Sequence, residues 1–154
     1  MRIEPANIGD LETVGRLYEE LYARMAALQP ENFRPASQSP DFLRAMLDSP
    51  EGDILVAREP SGEVLGFALV RCQNTPEYPC FRPRRYTCLM DLVVTESRRG
   101  QGVGKALLDA VEHWARDRGS EFIELGVLSE NLPAIGLYES RGFQERRKVM
   151  ERNL

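Results

Sequence analysis

The sequence predicts an α/β protein with a mixed central β-sheet flanked by helices. Three observations carry this expectation. Apolar residues recur at three- and four-residue steps in two long segments, 11–28 and 103–118. Between and after these segments lie short runs rich in Val, Ile and Leu, bounded by Gly and Pro turns. One such run leads through a glycine-rich loop, Arg98-Arg99-Gly100-Gln101-Gly102-Val103-Gly104-Lys105, into the second helical segment.

The elements follow in order. Residues 1–5 read as a short first strand. Asn7 or Asp10 can cap the next helix, whose inward stripe is Leu11, Val14, Leu17, Tyr18, Leu21, Tyr22, Met25 and Leu28. Pro30, Pro35 and Pro40 exclude a regular helix over Gln29–Pro40. Ser39-Pro40-Asp41 starts a short helix with Phe42, Leu43, Met46 and Leu47 inward. Ile54–Ala57, the turn Pro60-Ser61-Gly62-Glu63 and Val64–Val70 make a hairpin. Asn74–Arg84 carries Pro76, Pro79 and Pro83 and reads as a surface loop.

Tyr86–Thr95 is the third long strand. Its nearly continuous apolar run is the pattern of a strand covered on both faces. The helix after the glycine loop shows Val103, Ala106, Leu107, Ala110, Val111 and Trp114 on one face, and Gly119 ends it. Phe122–Leu128 reads as a strand, Asn131–Gly142 as a short capped helix, and Phe143–Met150 as a last strand. The expected order is β, α, α, β, β, β, α, β, α, β, in one domain spanning residues 1–154.

Composition narrows the function classes. The 154 residues carry a net charge of −4 and a pI near 5.2, so the overall field gives no footprint for nucleic acid. No apolar run approaches the roughly 20 residues of a membrane span, and no signal-peptide pattern follows Met1. Cys72, Cys80 and Cys88 are an odd number with no CxxC spacing, and the one His, His113, lies elsewhere. These features predict no metal site and three free thiols in a cytoplasmic protein.

The glycine loop carries the chemistry. Glycine at alternate positions lets backbone approach a ligand with no Cβ in the way. The first N–H groups of the following helix lack internal partners and lie at the positive end of its dipole. Such a place suits a phosphate, and Arg98, Arg99 and Lys105 add charge around it. Two other phosphate loops use the same physics. A P-loop requires Ser or Thr after Gly-Lys, where this chain has Ala106. A dinucleotide fingerprint requires G-x-G-x-x-G, where this chain has G-x-G-x-G, although Glu121 or Glu124 loosely meets its acidic criterion.

Arg99-Gly100-Gln101-Gly102-Val103-Gly104, the preceding strand Leu89–Val94 and the later block Asn131–Phe143 together resemble the GNAT superfamily of acyl-CoA N-acyltransferases. The resemblance covers essentially the full chain. It implies the GNAT fold, with two central strands splayed at the acyl-CoA site, and acetyl-CoA as cosubstrate without a metal. It further implies direct attack by an amine in a ternary complex. Leu92, Val93 and Val94 would offer backbone groups to the pantetheine arm. Arg99, Gly100, Gln101, Gly102, Val103, Gly104 and Lys105 would hold the pyrophosphate. Asn131 would hydrogen-bond the cofactor, and Tyr138 would both contact it and protonate the leaving thiolate. Homodimers are common in the family.

Amine acylation needs no protein nucleophile, which agrees with the lack of a Ser–His or Cys–His pair. Asn131 also reads as a helix N-cap, and Tyr138 as an aromatic packed between helix and sheet. Asp91 sits within an apolar run, where an unpaired carboxylate is costly. Two readings stay open for it: a base or anchor for the substrate's ammonium group, or the ion-pair partner of an arginine. Arg82, Arg84 and Arg85 form a second basic patch that reads as a solvated face. The expected acceptor is a small-molecule primary amine. A protein N-terminus, a lysine, or a non-catalytic acyl-CoA-binding role are the alternatives. The loops 30–39 and 74–84 would set the choice.

Overall fold

Alternating apolar positions build the sheet, and helical stripes cover it on both faces. The computed structural model describes all 154 residues. Strand β1 (Arg2–Pro5) leads to helices α1 (Leu11–Leu28) and α2 (Pro40–Asp48), then strands β2 (Gly52–Arg58), β3 (Val64–Asn74) and β4 (Arg85–Val94). Helix α3 (Val103–Asp117), strand β5 (Ile123–Glu124) and helix α4 (Leu132–Ser140) follow. The strands lie side by side in chain order, antiparallel from β1 to β4, with β5 parallel to β4. The mixed α/β architecture is the expected one.

Each face has its own core. On one, Val14, Leu17 and Tyr18 of α1 and Leu43 and Met46 of α2 pack on Ile54, Val56, Phe67, Leu69 and Val93. On the other, Leu107, Leu108, Val111 and Trp114 of α3 pack on Leu55, Ala68, Val70 and Leu89. Burial of each large side chain stabilises the fold by roughly 1.5–3 kcal/mol. Ser39 caps α2 by accepting from the Phe42 amide at 3.3 Å. No helix is long and apolar enough to cross a membrane.

One irregularity positions the site. Asp91 pairs with Leu69 and Leu89 with Val70, so Met90 is an extra residue bulging from β4. Thr87 and Leu89 therefore point to the α3 face, whereas Asp91 and Val93 point to the α1 face. Simple alternation would have kept all four on one side.

Two expectations need correction. The strand expected at Phe122–Leu128 is only Ile123–Glu124, paired with Thr87 and Cys88. Because β5, the edge strand, ends at Glu124, Leu89–Val94 has no strand beside it on that side. The strand expected at Phe143–Met150 does not form. Phe143 packs against Tyr138, but Gln144–Lys148 are polar and exposed, and Val149 and Met150 are 91% and 89% exposed. A strand needs one buried face, and this segment has none. Side chains hold it instead: Arg147 pairs with Glu124, and Asn32 donates to Glu151 and Asn153 to Glu31, each at 3.0 Å.

Candidate active site

The glycine loop lies at the end of β4, between it and α3. Gly100 and Gly102 adopt φ of +74° and +87°, a backbone region that strains any residue with a Cβ. The amides of Gly100, Gln101, Gly102, Val103, Gly104 and Lys105 donate to no group in the fold. Ala106 is the first amide of α3 with a backbone partner, the carbonyl of Gly102 at 3.1 Å. A row of free donors thus faces outward at the positive end of a 15-residue helix. Val103 contributes only its amide, because its side chain is buried in the core. A Cβ on Gly104 would stand 3.0 Å from Cδ2 of Leu137, so loop and α4 are in close contact.

The charges sort differently from expectation. Arg98 does not face the loop's free amides unpaired. It donates to Glu59 at 2.8 Å and lies 3.9 Å from Glu63, tying the loop to the β2–β3 hairpin. Arg99 donates from Nε to the Val94 carbonyl at 3.1 Å and has no carboxylate partner. Lys105 is exposed and unpaired. Gln101 donates to the Ser97 carbonyl at 3.2 Å. The local positive charge therefore rests with Arg99 and Lys105. The other basic patch is dispersed: Arg84 stacks over Phe122, 4.1 Å from the ring centre, and Arg85 pairs with Glu51 at 2.9 Å.

Leu92 and Val94 are half-buried toward the α3 core, and Val93 is buried toward α1. Their backbone forms the unpaired flank of β4 described above. Asn131 accepts from the Ala134 amide at 3.4 Å, the expected N-cap, and its Oδ1 also accepts from Arg24 at 3.3 Å. Only its Nδ2 is left for a ligand.

The partner of Asp91 is a tyrosine, not an arginine. The Tyr18 hydroxyl donates to Oδ2 of Asp91 at 2.6 Å. Tyr18 is fully buried, its ring 4.9 Å from Phe67 and 5.5 Å from Tyr22. Burial raises the Asp91 carboxyl above its ordinary range, and the Tyr18 hydrogen bond opposes the rise. Tyr138 is half-buried, and burial together with the Asp91 charge pushes its hydroxyl up to about 12. It therefore keeps its proton at neutral pH, the state in which its hydroxyl can donate. Every buried side-chain oxygen in the fold has a hydrogen-bond partner. Asp91 Oδ1 and Tyr138 Oη have none, so neither atom is sealed from solvent.

Tyr18 escapes a reading by periodicity, since it sits on the apolar stripe of α1. The available signal is the buried phenol itself, which needs a hydrogen-bond partner. A separate concavity of 460 Å³, bordered by Asp10, Arg16, Glu20 and Glu63, contains none of the expected site residues. No cluster of potential metal ligands is present.

Comparison with known proteins supplies the frame for these features. A sequence model of the acetyltransferase (GNAT) family matches residues 18–143. An aminoglycoside N(6')-acetyltransferase type 1 of Klebsiella aerogenes is 34% identical over 109 residues, 71% of this chain and 70% of that protein. An L-methionine sulfoximine/L-methionine sulfone acetyltransferase of Pseudomonas paraeruginosa is 28% identical over 144 residues, 92% and 79% of the two chains. The crystal structure of a mutant BH1408 protein from Bacillus halodurans superimposes with a TM-score of 0.95 at 26% identity, covering 100% of this chain and 99% of that one.

Proposed function

The chain belongs to the acetyltransferase (GNAT) family, and from that premise we propose that it acetylates a primary amine of a small molecule by direct attack in a ternary complex. The observation that carries this reading is the convergence of three features. They are the unpartnered amides of Gly100–Lys105, the open flank of β4, and the unpartnered, unsealed oxygens of the neighbouring Asp91 and Tyr138. Acetyl-CoA supplies the activated acyl group.

This chain's residues divide the work. The loop amides bind the pyrophosphate, with Arg99 and Lys105 adding charge. Backbone groups of Leu92, Val93 and Val94 hold the pantetheine arm along the open flank, and Asn131 contributes Nδ2. Asp91 holds the acceptor's ammonium group at Oδ1 and takes up a proton as the amine reacts. Burial suits it to this, because a raised carboxyl is a better proton acceptor than an exposed one. Tyr138 holds its proton at Oη and gives it to the departing sulfur. The two curated relatives described above are named for small-molecule acceptors, which favours such an acceptor over a protein lysine or N-terminus.

The test is calorimetric titration with acetyl-CoA, followed by thiol release with a panel of aminoglycosides, amino-acid analogues, polyamines and peptides. We expect micromolar-range binding and turnover with a small amine. Failure to bind acetyl-CoA, or turnover confined to peptides, would overturn the reading.

A further inference from the structure

We propose that Tyr18 is a positioning residue for the transfer reaction: its hydroxyl fixes Oδ2 of Asp91 so that Oδ1 meets the acceptor's ammonium group. The inference rests on the role assigned to Asp91 above and adds a residue outside the glycine loop and the Asn131–Phe143 block.

Three observations support it. The first is the placement of the carboxylate. The Met90 bulge turns Asp91 from the α3 face to the α1 face, directly onto the Tyr18 hydroxyl at 2.6 Å. The second is the rigidity of the donor. Tyr18 is 0% exposed and held between Phe67 and Tyr22, so its hydroxyl has little freedom to move. Tyr22 in turn accepts from Gln38 at 2.8 Å, which ties the assembly to the proline-rich loop before α2. The third is the asymmetry of the carboxylate. Oδ2 is occupied by Tyr18, and Oδ1 is unpartnered yet not sealed. One oxygen is fixed and the other is presented.

No cation of the protein neutralises Asp91. The titratable groups facing it are Tyr18 and Tyr22 from α1, Cys88 from its own strand and Tyr138 from α4. All are neutral near pH 7, and burial with the Asp91 charge raises each phenol further. A carboxylate in this setting gains most from an incoming ammonium group. Held by one oxygen, it can receive that group in one orientation, which is the condition for attack along a defined line.

The experiment compares Tyr18→Phe, Asp91→Asn and Tyr86→Phe with the unaltered protein. Tyr18→Phe keeps the ring packing and removes only the hydroxyl. Tyr86 donates to Gln73 at 2.9 Å and not to Asp91, and its variant controls for the loss of a phenol. The acceptor is whichever amine of the panel turns over fastest. We expect Tyr18→Phe to lower kcat/KM for the acceptor by about tenfold, with acetyl-CoA affinity changed less than about twofold. Its acid limb should move to higher pH, because a donor to the ionised carboxylate is lost. Carbon-13 NMR of labelled aspartate carboxyls reads the same change without turnover: the Asp91 titration midpoint should rise in Tyr18→Phe and stay in place in Tyr86→Phe. An unmoved midpoint, or unaltered acceptor kinetics beside an impaired Asp91→Asn, overturns the positioning role. Full activity of Asp91→Asn overturns it as well. Absence of any acetyl transfer by the unaltered protein instead defeats the acetyltransferase reading, and the NMR titration still decides whether Tyr18 fixes the carboxylate.

Discussion

Arg98 is bound to Glu59 by a 2.8 Å hydrogen bond, so the arginine that begins the glycine loop anchors it to the β2–β3 hairpin. Its neighbour Arg99 has no carboxylate partner. Two adjacent arginines therefore do different jobs. Arg99→Ala and Lys105→Ala should each weaken acetyl-CoA binding about two- to fivefold, the scale of one charge near a helix N-terminus. Arg98→Ala should change that affinity less and lower the melting temperature instead. Calorimetry and thermal unfolding on the three variants separate the roles.

Gly102 has φ of +87°, and a Cβ there would meet nothing within 4 Å. Gly102→Val should cost about 1–2 kcal/mol of stability from backbone strain alone. Gly119, at φ +73° after α3, is equally open and serves as a matched control. Gly102→Val should lose acetyl-CoA affinity beyond what Gly119→Val loses, because its side chain enters the space in front of the loop amides. Equal affinity in the two variants would remove the loop from cofactor binding.

Tyr138→Phe should lower kcat about a hundredfold, within the range of general acid catalysis. Acetyl-CoA affinity should hardly change, since ring packing against Phe143 is retained. Single-turnover and equilibrium binding measurements read the two quantities separately. Unchanged kcat would assign Tyr138 to packing only.

Asp91 should limit stability while serving function. Burial raises its carboxyl in the folded state, so folding holds its proton more tightly than the unfolded chain does. The ionised form then costs stability, and the cost appears as pH rises above the unfolded value. Asp91→Asn, which still accepts from Tyr18, should raise the melting temperature at pH 7 and leave it unchanged at low pH. A lower melting temperature at pH 7 would mean that the carboxylate stabilises the fold.

Asp10 shows the opposite sign. Burial opposes ionisation, but hydrogen bonds from Arg58 at 2.8 Å and the Asn7 amide at 2.9 Å outweigh it and hold Asp10 below the usual range. Its contribution is present above the unfolded value and lost as pH falls through the folded one. Arg58→Met should destabilise the protein by about 3 kcal/mol at pH 7, because it strands a buried carboxylate. The deficit should shrink in acid. Urea unfolding across pH 3–7 tests both statements.

Most of the architecture was legible in the residues. The stripes of α1 and α3 are regular enough to name their buried faces, because a helix on a sheet must present one apolar side. The glycine loop was legible because glycines at alternate positions before a regular apolar helical stripe mark a backbone-exposed turn at a helix start. The ends of the sheet were not. Phe122–Leu128 and Phe143–Met150 carry enough Val, Ile and Phe to read as strands, yet pairing and burial are long-range properties that local composition does not contain.

The sequence by itself determined the fold class, the family and the location of the glycine loop, since each depends on residue types at short spacing. Tertiary structure alone decided which groups face each other. The bulge at Met90 reverses the facing of β4, and Tyr18 meets a residue 73 positions away. Glu59 likewise takes up Arg98 across the hairpin. A hydrogen bond between distant elements depends on their relative placement to within tenths of an ångström. Only the packed core sets that placement, and through it the chemistry available at Asp91.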